Sequence, residues 1–365
     1  MRYAMIMAGG TGTRLWPMSR ARIPKQLIPF IGGKSLLQIA SERLDGLVEA
    51  EHRFICAGAV HQQAILDALP KFTTERYLAE PTGRDTLAAV AFSAAVIGRH
   101  DPDAVMAVFT ADHIIEPIDQ FQHIVEAGFQ LAEQNRDVLV TFGIKPTHAA
   151  TGYGYLELGP QIEKGPAKVV ACFKEKPNAP TAQDYLEAGP DSYLWNSGMF
   201  VWRAATCLDC VRRFAPEHHA AVMKIADAWD TPKRQEVVAA IYPTLKKISV
   251  DYAIMEPASQ DQKVTVAAVP MPLFWLDVGS WPAFAQTIDK DESGNAIAAD
   301  RQLLMDCSNT LVASSDKEHL IATIGCRDLI IVHTNDATLV CHADRAEDIK
   351  KIHALVGDRF GNKLV

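Results

Sequence analysis

The chain has 365 residues, 48% of them hydrophobic and 22% charged, with a formal net charge of −8. That length suits one large domain and a small one, and an acidic chain with no basic block beyond its N-terminal loop argues against a nucleic-acid surface. No apolar run reaches the ~18 residues of a membrane helix, and glycines and arginines interrupt any signal-peptide layout, so a cytoplasmic protein without a membrane partner is expected.

Tyr3 to Ala8 is a short apolar run that reads as a buried parallel strand. Gly9, Gly10 and Gly12 follow within four positions, where N–H groups free of Cβ hindrance can turn toward a phosphate. Arg14, Arg20 and Lys25 then supply cations suited to a polyphosphate. A P-loop is excluded because Thr13-Arg14 follows Gly12 where Lys-Ser/Thr belongs. A dinucleotide fingerprint is excluded because Leu15 replaces the third small residue and Pro17 would break the helix's first turns. The stretch is therefore a strand running into an open anion-binding loop.

Ser35-Leu36-Leu37-Gln38 is a capping box that predicts a helix over Leu36–Leu47. Strands are predicted at Arg53–Ala59, Arg76–Ala79 and Ala104–Thr110, with helices at His61–Leu69 and Leu87–Gly98 between them. Strand and helix alternating in this way predict a parallel sheet covered on both faces, with ligands at the carboxyl ends of its strands. Asp112 lies just past one such end. It can serve as an oxygen ligand for Mg²⁺ or as an ordinary turn residue. Further elements are expected at Pro117–Gln134, Val138–Ile144, Val169–Phe173, Thr181–Ala188, Tyr193–Trp202, Ala204–Phe214, Pro216–Trp229 and Lys233–Tyr242. Cys207 and Cys210 form the one C-x-x-C, with no second pair, and read as buried small hydrophobes on a helix. In Leu273–Trp281 a single carboxylate, Asp277, stands in an apolar aromatic stretch, which is costly unless it is paired or metal-bound. A helix is expected from Trp281 to Ile288 and a linker from Asp289 to Asn295. Five short strands between Leu303 and Cys341 and a helix over Asp344–Val356 then predict a small solenoid or sandwich.

Gly9-Gly10-Thr11-Gly12-Thr13-Arg14-Leu15-Trp16-Pro17, Ser19-Arg20 and Pro24-Lys25-Gln26 together resemble the signature of the sugar-1-phosphate nucleotidylyltransferases, and within them the mannose-1-phosphate guanylyltransferases. The resemblance continues in order to about residue 285. It implies an α/β, Rossmann-like, mostly parallel sheet of the nucleotide-diphospho-sugar transferase type over 1–290. A small β-rich, solenoid-like domain over 296–365 follows. The implied reaction is Mg²⁺-dependent in-line transfer of GMP from GTP to α-D-mannose 1-phosphate, giving GDP-mannose and pyrophosphate.

Residue by residue, the resemblance makes Arg14 and Lys25 catalytic and Asp112 and Asp277 the metal ligands. Ala8, Gly9, Gly10, Gly12, Thr13, Glu80, Pro81, Arg84, Asp85 and Thr86 bind the nucleotide, while Gly154, Glu175, Lys176 and Asn196 bind the sugar phosphate, with Asp251 supporting them. His113 is read as structural. The family usually shows Arg-Asn-Thr-Ala-Pro where this chain has Arg84-Asp85-Thr86-Leu87-Ala88, which leaves the base open, and Asp85 and Thr86 serve equally well as N-caps. Another sugar 1-phosphate or nucleotide, or a non-catalytic sugar-nucleotide-sensing subunit, are the alternatives. A phosphomannose isomerase domain, fused to some relatives, would need about a hundred more residues, so a monofunctional chain is expected. The apolar strands of 296–365 exceed what about 70 residues can readily bury, which predicts a homodimer.

Overall fold

The structure, a computed structural model, describes every residue except Thr11, Gly32, Glu163 and Lys164, and omits the side chains of Phe30 and Ile31. Thr11 of the glycine-rich stretch thus lies outside the described residues. The fold divides into two compact units that do not follow chain order. One comprises Met1–Gly9, Ala40–Ala111 and Ile115–Trp275. The other gathers Gly10–Ile39, Asp112–Ile114 and Leu276–Val365.

The first unit is built on a nine-stranded sheet whose strands are numbered β1 to β9 in chain order. They are Arg2–Met7, Arg53–Gly58, Tyr77–Glu80, Val105–Thr110, Val138–Ile144, Tyr155–Gln161, Lys168–Lys174, Tyr193–Arg203 and Thr265–Pro270. Their spatial order is β3-β2-β1-β4-β8-β5-β9-β7-β6. The β3-β2-β1-β4 half is parallel, as the strand–helix alternation requires, and β5 is parallel to β9. Strand β8 enters antiparallel between β4 and β5. The strands Tyr155–Gln161 and Thr265–Pro270 were not anticipated. The first follows a Gly-broken turn, and the second is a short apolar run ending in proline, a pattern that periodicity alone does not separate from coil.

Helix Asp85–His100 explains its own alanine content. Every residue from Leu87 to Ile97 is buried, so small side chains are needed all round rather than on one stripe. Cys207 and Cys210 are buried within helix Ala204–Phe214, as expected, and all seven cysteines are free thiols. The helix predicted over Leu36–Leu47 stops at Glu42, although Ser35 Oγ does accept the Gln38 N–H at 3.2 Å.

The second unit contains a coil of parallel rungs. Ala296–Ala298, Leu311–Ser314 and Leu329–Thr334 stack in one sheet, closed by antiparallel Ala337–His342, while Arg301–Met305 and Leu320–Ile324 stack in another. Equivalent positions recur 19 residues apart: Arg301 beside Leu320, Ser308 beside Arg327, Leu311 beside Ile330. The corners recur too. Asp306 and Gly325 are both left-handed (φ 55° and 65°), as are Asn309 and Asp328 (φ 50° and 53°). Gly, Asn and Asp bear that conformation most cheaply. This is a β-solenoid, one of the two expected forms. Its apolar interior also contains Leu15, Trp16, Trp281 and Phe284, and Trp281 Nε1 donates to the Trp16 carbonyl at 3.0 Å. The expected linker is an ordered turn in which Asp291 accepts the N–H groups of Ser293 and Asn295 at 2.9 and 2.8 Å.

Candidate active site

In the second unit the glycine-rich loop forms a single 3₁₀ turn, Thr13–Leu15, and then becomes extended at Trp16 (φ −60°, ψ 140°). A residue before proline avoids the helical region, so Pro17 keeps the loop open as the sequence predicted. Gly12 is left-handed (φ 60°), and a Cβ there would lie 2.7 Å from Lys25 Cβ. Only glycine lets the backbone approach Lys25 this closely. Ser19 Oγ closes the loop by donating to the Gly12 carbonyl at 2.5 Å.

Lys25 is buried, and its Nζ lies 2.5 Å from Asp112 Oδ2. Burial works to lower its pKa, yet Asp112 and then Asp277 leave it above the ordinary lysine value. Burial likewise raises Asp112, but Lys25 and His113 hold it below the usual carboxylate range. Asp277 is pushed up to about 6, first by burial and then by the Asp112 carboxylate. Two carboxylates within reach of each other, one of them reluctant to ionise, are partly compensated here by Lys25 and could also hold a metal cation. Ligand atoms of Asp112, His113 and Asp277 all lie within 4.8 Å of one another, the one such grouping of three among the described residues. The carboxylate oxygens suit Mg²⁺, which takes a few protein oxygens and completes its shell with phosphate and water. His113, read from sequence as structural, is buried at the edge of this group, its Nε2 4.0 Å from Asp112 Oδ1. Arg14 donates from Nη1 to Glu347 Oε1 at 2.8 Å, a partner that no sequence motif announced.

The first unit holds the other expected residues. Ala8 N–H donates to the Cys56 carbonyl at 2.9 Å, and a Cβ on Gly9 would sit 3.5 Å from Glu80 Oε2. Glu80 is buried and accepts the Tyr242 hydroxyl at 2.6 Å, with a pKa raised by burial against that hydrogen bond. Arg84 donates to the Pro243 carbonyl and occupies the N-cap position of helix Asp85–His100 without a side-chain cap. Asp85 has a left-handed backbone (φ 65°) and accepts the Thr86 N–H at 2.8 Å. Asn and Asp are the side-chain-bearing residues best suited to that conformation, which accounts for aspartate where the family usually has asparagine. Thr86 Oγ1 accepts the Val250 N–H at 2.8 Å, so it ties the turn to a distant segment instead of capping its own helix. A cavity of about 320 Å³ takes in Pro81 alone among the expected site residues, alongside Tyr77, Trp229, Arg234 and Val238.

Asn196 lies in β8, and its two amide ends are held by different partners. Thr141 Oγ1 donates to Oδ1 at 2.7 Å, and Nδ2 donates to Asp251 Oδ1 at 2.9 Å. Burial and the Glu175 carboxylate push Asp251 up to about 7. Lys176, itself left-handed (φ 45°), donates to the buried Glu175. A Cβ on Gly154 would lie 2.5 Å from Glu175 Oε2, so Gly154 keeps open the space that Glu175 occupies. The structure thus brings Gly154, Glu175, Lys176, Asn196 and Asp251 together. It adds Thr141 and Tyr242 as tethers that sequence reading passed over.

A glycine-rich loop, a buried lysine and two neighbouring carboxylates in one unit, with a network of hydroxyl, carboxyl and amide groups in the other, suit a nucleotide-processing protein. The chain matches the model of the nucleotidyl transferase family over residues 3–294 and that of the MannoseP isomerase/GMP-like beta-helix domain over residues 300–354. It is 37% identical over 360 residues to the xanthan biosynthesis protein XanB of Xanthomonas campestris pv. campestris, covering 95% of this chain and 72% of that protein. It is also 37% identical over 362 residues to a mannose-1-phosphate guanylyltransferase of Klebsiella pneumoniae, covering 96% and 73%. Among solved structures, that of mannose-1-phosphate geranyltransferase from Thermus thermophilus superposes with a TM-score of 0.84 at 29% identity, covering 97% of this chain and 99% of that one. The chain belongs to the nucleotidyl transferase family.

Proposed function

We propose that the protein transfers GMP from GTP to α-D-mannose 1-phosphate, giving GDP-mannose and pyrophosphate. The observation that carries this reading is the Lys25–Asp112–Asp277 cluster beside the glycine-rich loop. It is supported by relatives named mannose-1-phosphate guanylyltransferase at up to 37% identity over nearly the whole chain. A phosphate oxygen of the sugar phosphate attacks the α-phosphorus in line, the P–O bond to the β-phosphate breaks, and pyrophosphate leaves. No protein nucleophile is required.

The chain's own residues bind and orient. Gly10, Gly12 and Thr13 offer backbone donors to the triphosphate, and Lys25 and Arg14 stabilise the charge that gathers on the departing pyrophosphate. Asp112 and Asp277 would hold Mg²⁺, which when bound neutralises charge on the α-phosphate. Glu80 to Thr86, with Ala8 and Gly9, read the base. Asn196, Glu175 and the Gly154 backbone take the hexose hydroxyls, and Lys176 fixes the attacking phosphate, an effect of orientation.

Seven free thiols accord with a cytoplasmic protein, and no helix among the described residues is long and apolar enough to cross a membrane. The division into a catalytic domain over 1–290 and a solenoid over 296–365 is supported by the boundaries of the two matched models, whereas the compact units of the fold group residues 10–39, 112–114 and 276–290 with the solenoid. A homodimer is supported by Leu303, Met305, Leu320 and Ile324, exposed by 52–70% on one face of the stacked 301–305 and 320–324 strands. Pyrophosphate release measured for every pairing of GTP, ATP, UTP and dTTP with mannose and glucose 1-phosphates tests the reading. GTP with mannose 1-phosphate should give the highest kcat/KM. A preference for UTP or dTTP would assign the chain another substrate in the same fold.

A further inference from the structure

We infer that Glu347, from the turn that follows the solenoid, is a positioning residue that holds Arg14 in the direction a triphosphate needs. The inference rests on the reading of Arg14 as a phosphate ligand. Arg14 Nη1 lies 2.8 Å from Glu347 Oε1, and Lys350 Nζ stands 3.8 Å from the other carboxylate oxygen. Both partners are partly exposed, and an exposed ion pair by itself is worth little because two long side chains must be ordered to form it. Here that ordering is largely done by the backbone. Arg14 precedes Leu15, and Glu347 stands between Ala346 and Ile349. Leu15, Ala346 and Ile349 are all buried in one apolar cluster. The two side chains therefore start from fixed points.

The guanidinium has a competing partner. A Cβ on Gly279 would lie 3.3 Å from Arg14 Nη2 and 3.5 Å from Asp277 Oδ1, so both groups crowd the same glycine. Released from Glu347, Arg14 would close onto Asp277, since an arginine fork seeks a carboxylate. That would turn its donors away from the phosphates and cover a carboxylate needed for the cation. Glu347 prevents both. Its own charge, 63% exposed, is screened by solvent and opposes phosphate only weakly.

Calorimetric binding of inorganic tripolyphosphate to the full chain tests this in Glu347→Ala, Glu347→Gln, Arg14→Ala and the double variant, with melting curves to verify folding. Glu347→Ala should weaken binding about fivefold in the wild-type background and less than about twofold in Arg14→Ala, because a residue acting through another loses its effect when that other is gone. Glu347→Gln, which keeps an acceptor and its shape, should fall between. In turnover, Glu347→Ala should raise KM for GTP and leave KM for the sugar phosphate unchanged. Unaltered or tighter binding in Glu347→Ala, or an equal loss in both backgrounds, overturns the inference, as does a wild type that binds no tripolyphosphate. A wild type whose tripolyphosphate affinity depends on Glu347 but which releases no pyrophosphate from GTP and mannose 1-phosphate sustains the inference and removes the proposed reaction instead.

Discussion

The two units build their candidate site residues from different materials. In the second, formal charges face one another at short range: Lys25 against Asp112, Arg14 against Glu347, and Asp277 raised by burial and then by the Asp112 carboxylate. In the first, the candidate residues are held largely by hydrogen bonds to other side chains, alongside the Lys176–Glu175 ion pair. Thr141 and Asp251 fix the amide of Asn196, and Tyr242 fixes Glu80. A charge cluster of this kind stabilises whatever phosphate arrangement it is shown, whereas an amide with both ends assigned discriminates between hydroxyl patterns. Damage to the Lys25, Asp112 and Asp277 cluster should appear in kcat, damage to the Arg14–Glu347 pair in KM for GTP, and damage to the second kind in KM for the sugar phosphate.

The largest effect is expected from Asp277→Asn. Its fold should persist and kcat should fall by at least ~10²-fold, as when a principal stabiliser of transition-state charge is lost. Near-normal turnover with Mg²⁺ would sink the metal assignment and leave the two units with no division of labour. Gly154→Ala comes next. The added methyl falls 2.5 Å from Glu175 Oε2, so KM for the sugar phosphate should rise about tenfold, as expected for a displaced polar contact, with kcat little changed. A fall in kcat without a change in KM would blur the comparison.

Asp251 provides a sharper test through pH. Its folded pKa, about 7, lies above the ordinary 3.8, so the native state binds this proton more tightly than the unfolded chain. The stability it contributes is complete below about pH 4 and is lost as pH rises through 7. Asp251→Asn, which still accepts the hydrogen bond from Asn196, should therefore lose less Tm than wild type between pH 5 and pH 8. Parallel Tm curves for the two proteins would show that the carboxyl titrates normally. The smallest effect on catalysis is expected at the solenoid face. Leu303→Asp with Ile324→Asp should convert a dimer to a monomer in sedimentation, with turnover changed by less than about twofold because no expected ligand group lies there. A wild type that sediments as a monomer at micromolar concentration refutes the dimer.

How much was legible follows the same division. The loop stood out through its glycines and cations and Asp277 through its apolar surroundings, whereas Asp112, which could equally be a turn residue, was singled out by the resemblance. Arg84 and Thr86 were legible as residues but not as contacts. Their partners, Pro243 and Val250, lie more than 150 positions away, and no local pattern encodes such a pairing. Strand β8 was visible as an apolar run, yet its antiparallel direction was not, since direction depends on connections and not on periodicity. The solenoid carried a signal that was missed. Asp306-Cys307-Ser308-Asn309 and Gly325-Cys326-Arg327-Asp328 are the same corner one coil apart. A search for self-similarity at 19 residues would have found the rung before the structure did.

That rung also acts as a ruler. Asp336, Glu347 and the Leu364 carbonyl, which hold Arg20, Arg14 and Trp16, all come after the last parallel rung. Adding one whole 19-residue coil would preserve every corner and every buried position within the stack. It would also lengthen the stack by one strand spacing, about 4.8 Å. The hydrogen bonds to the loop tolerate no such step. The number of coils is thus constrained by the distance that the chain must span to return to its own N-terminal arginines, so an insertion that keeps the stack itself intact would unseat the glycine-rich loop from the far end of the sequence.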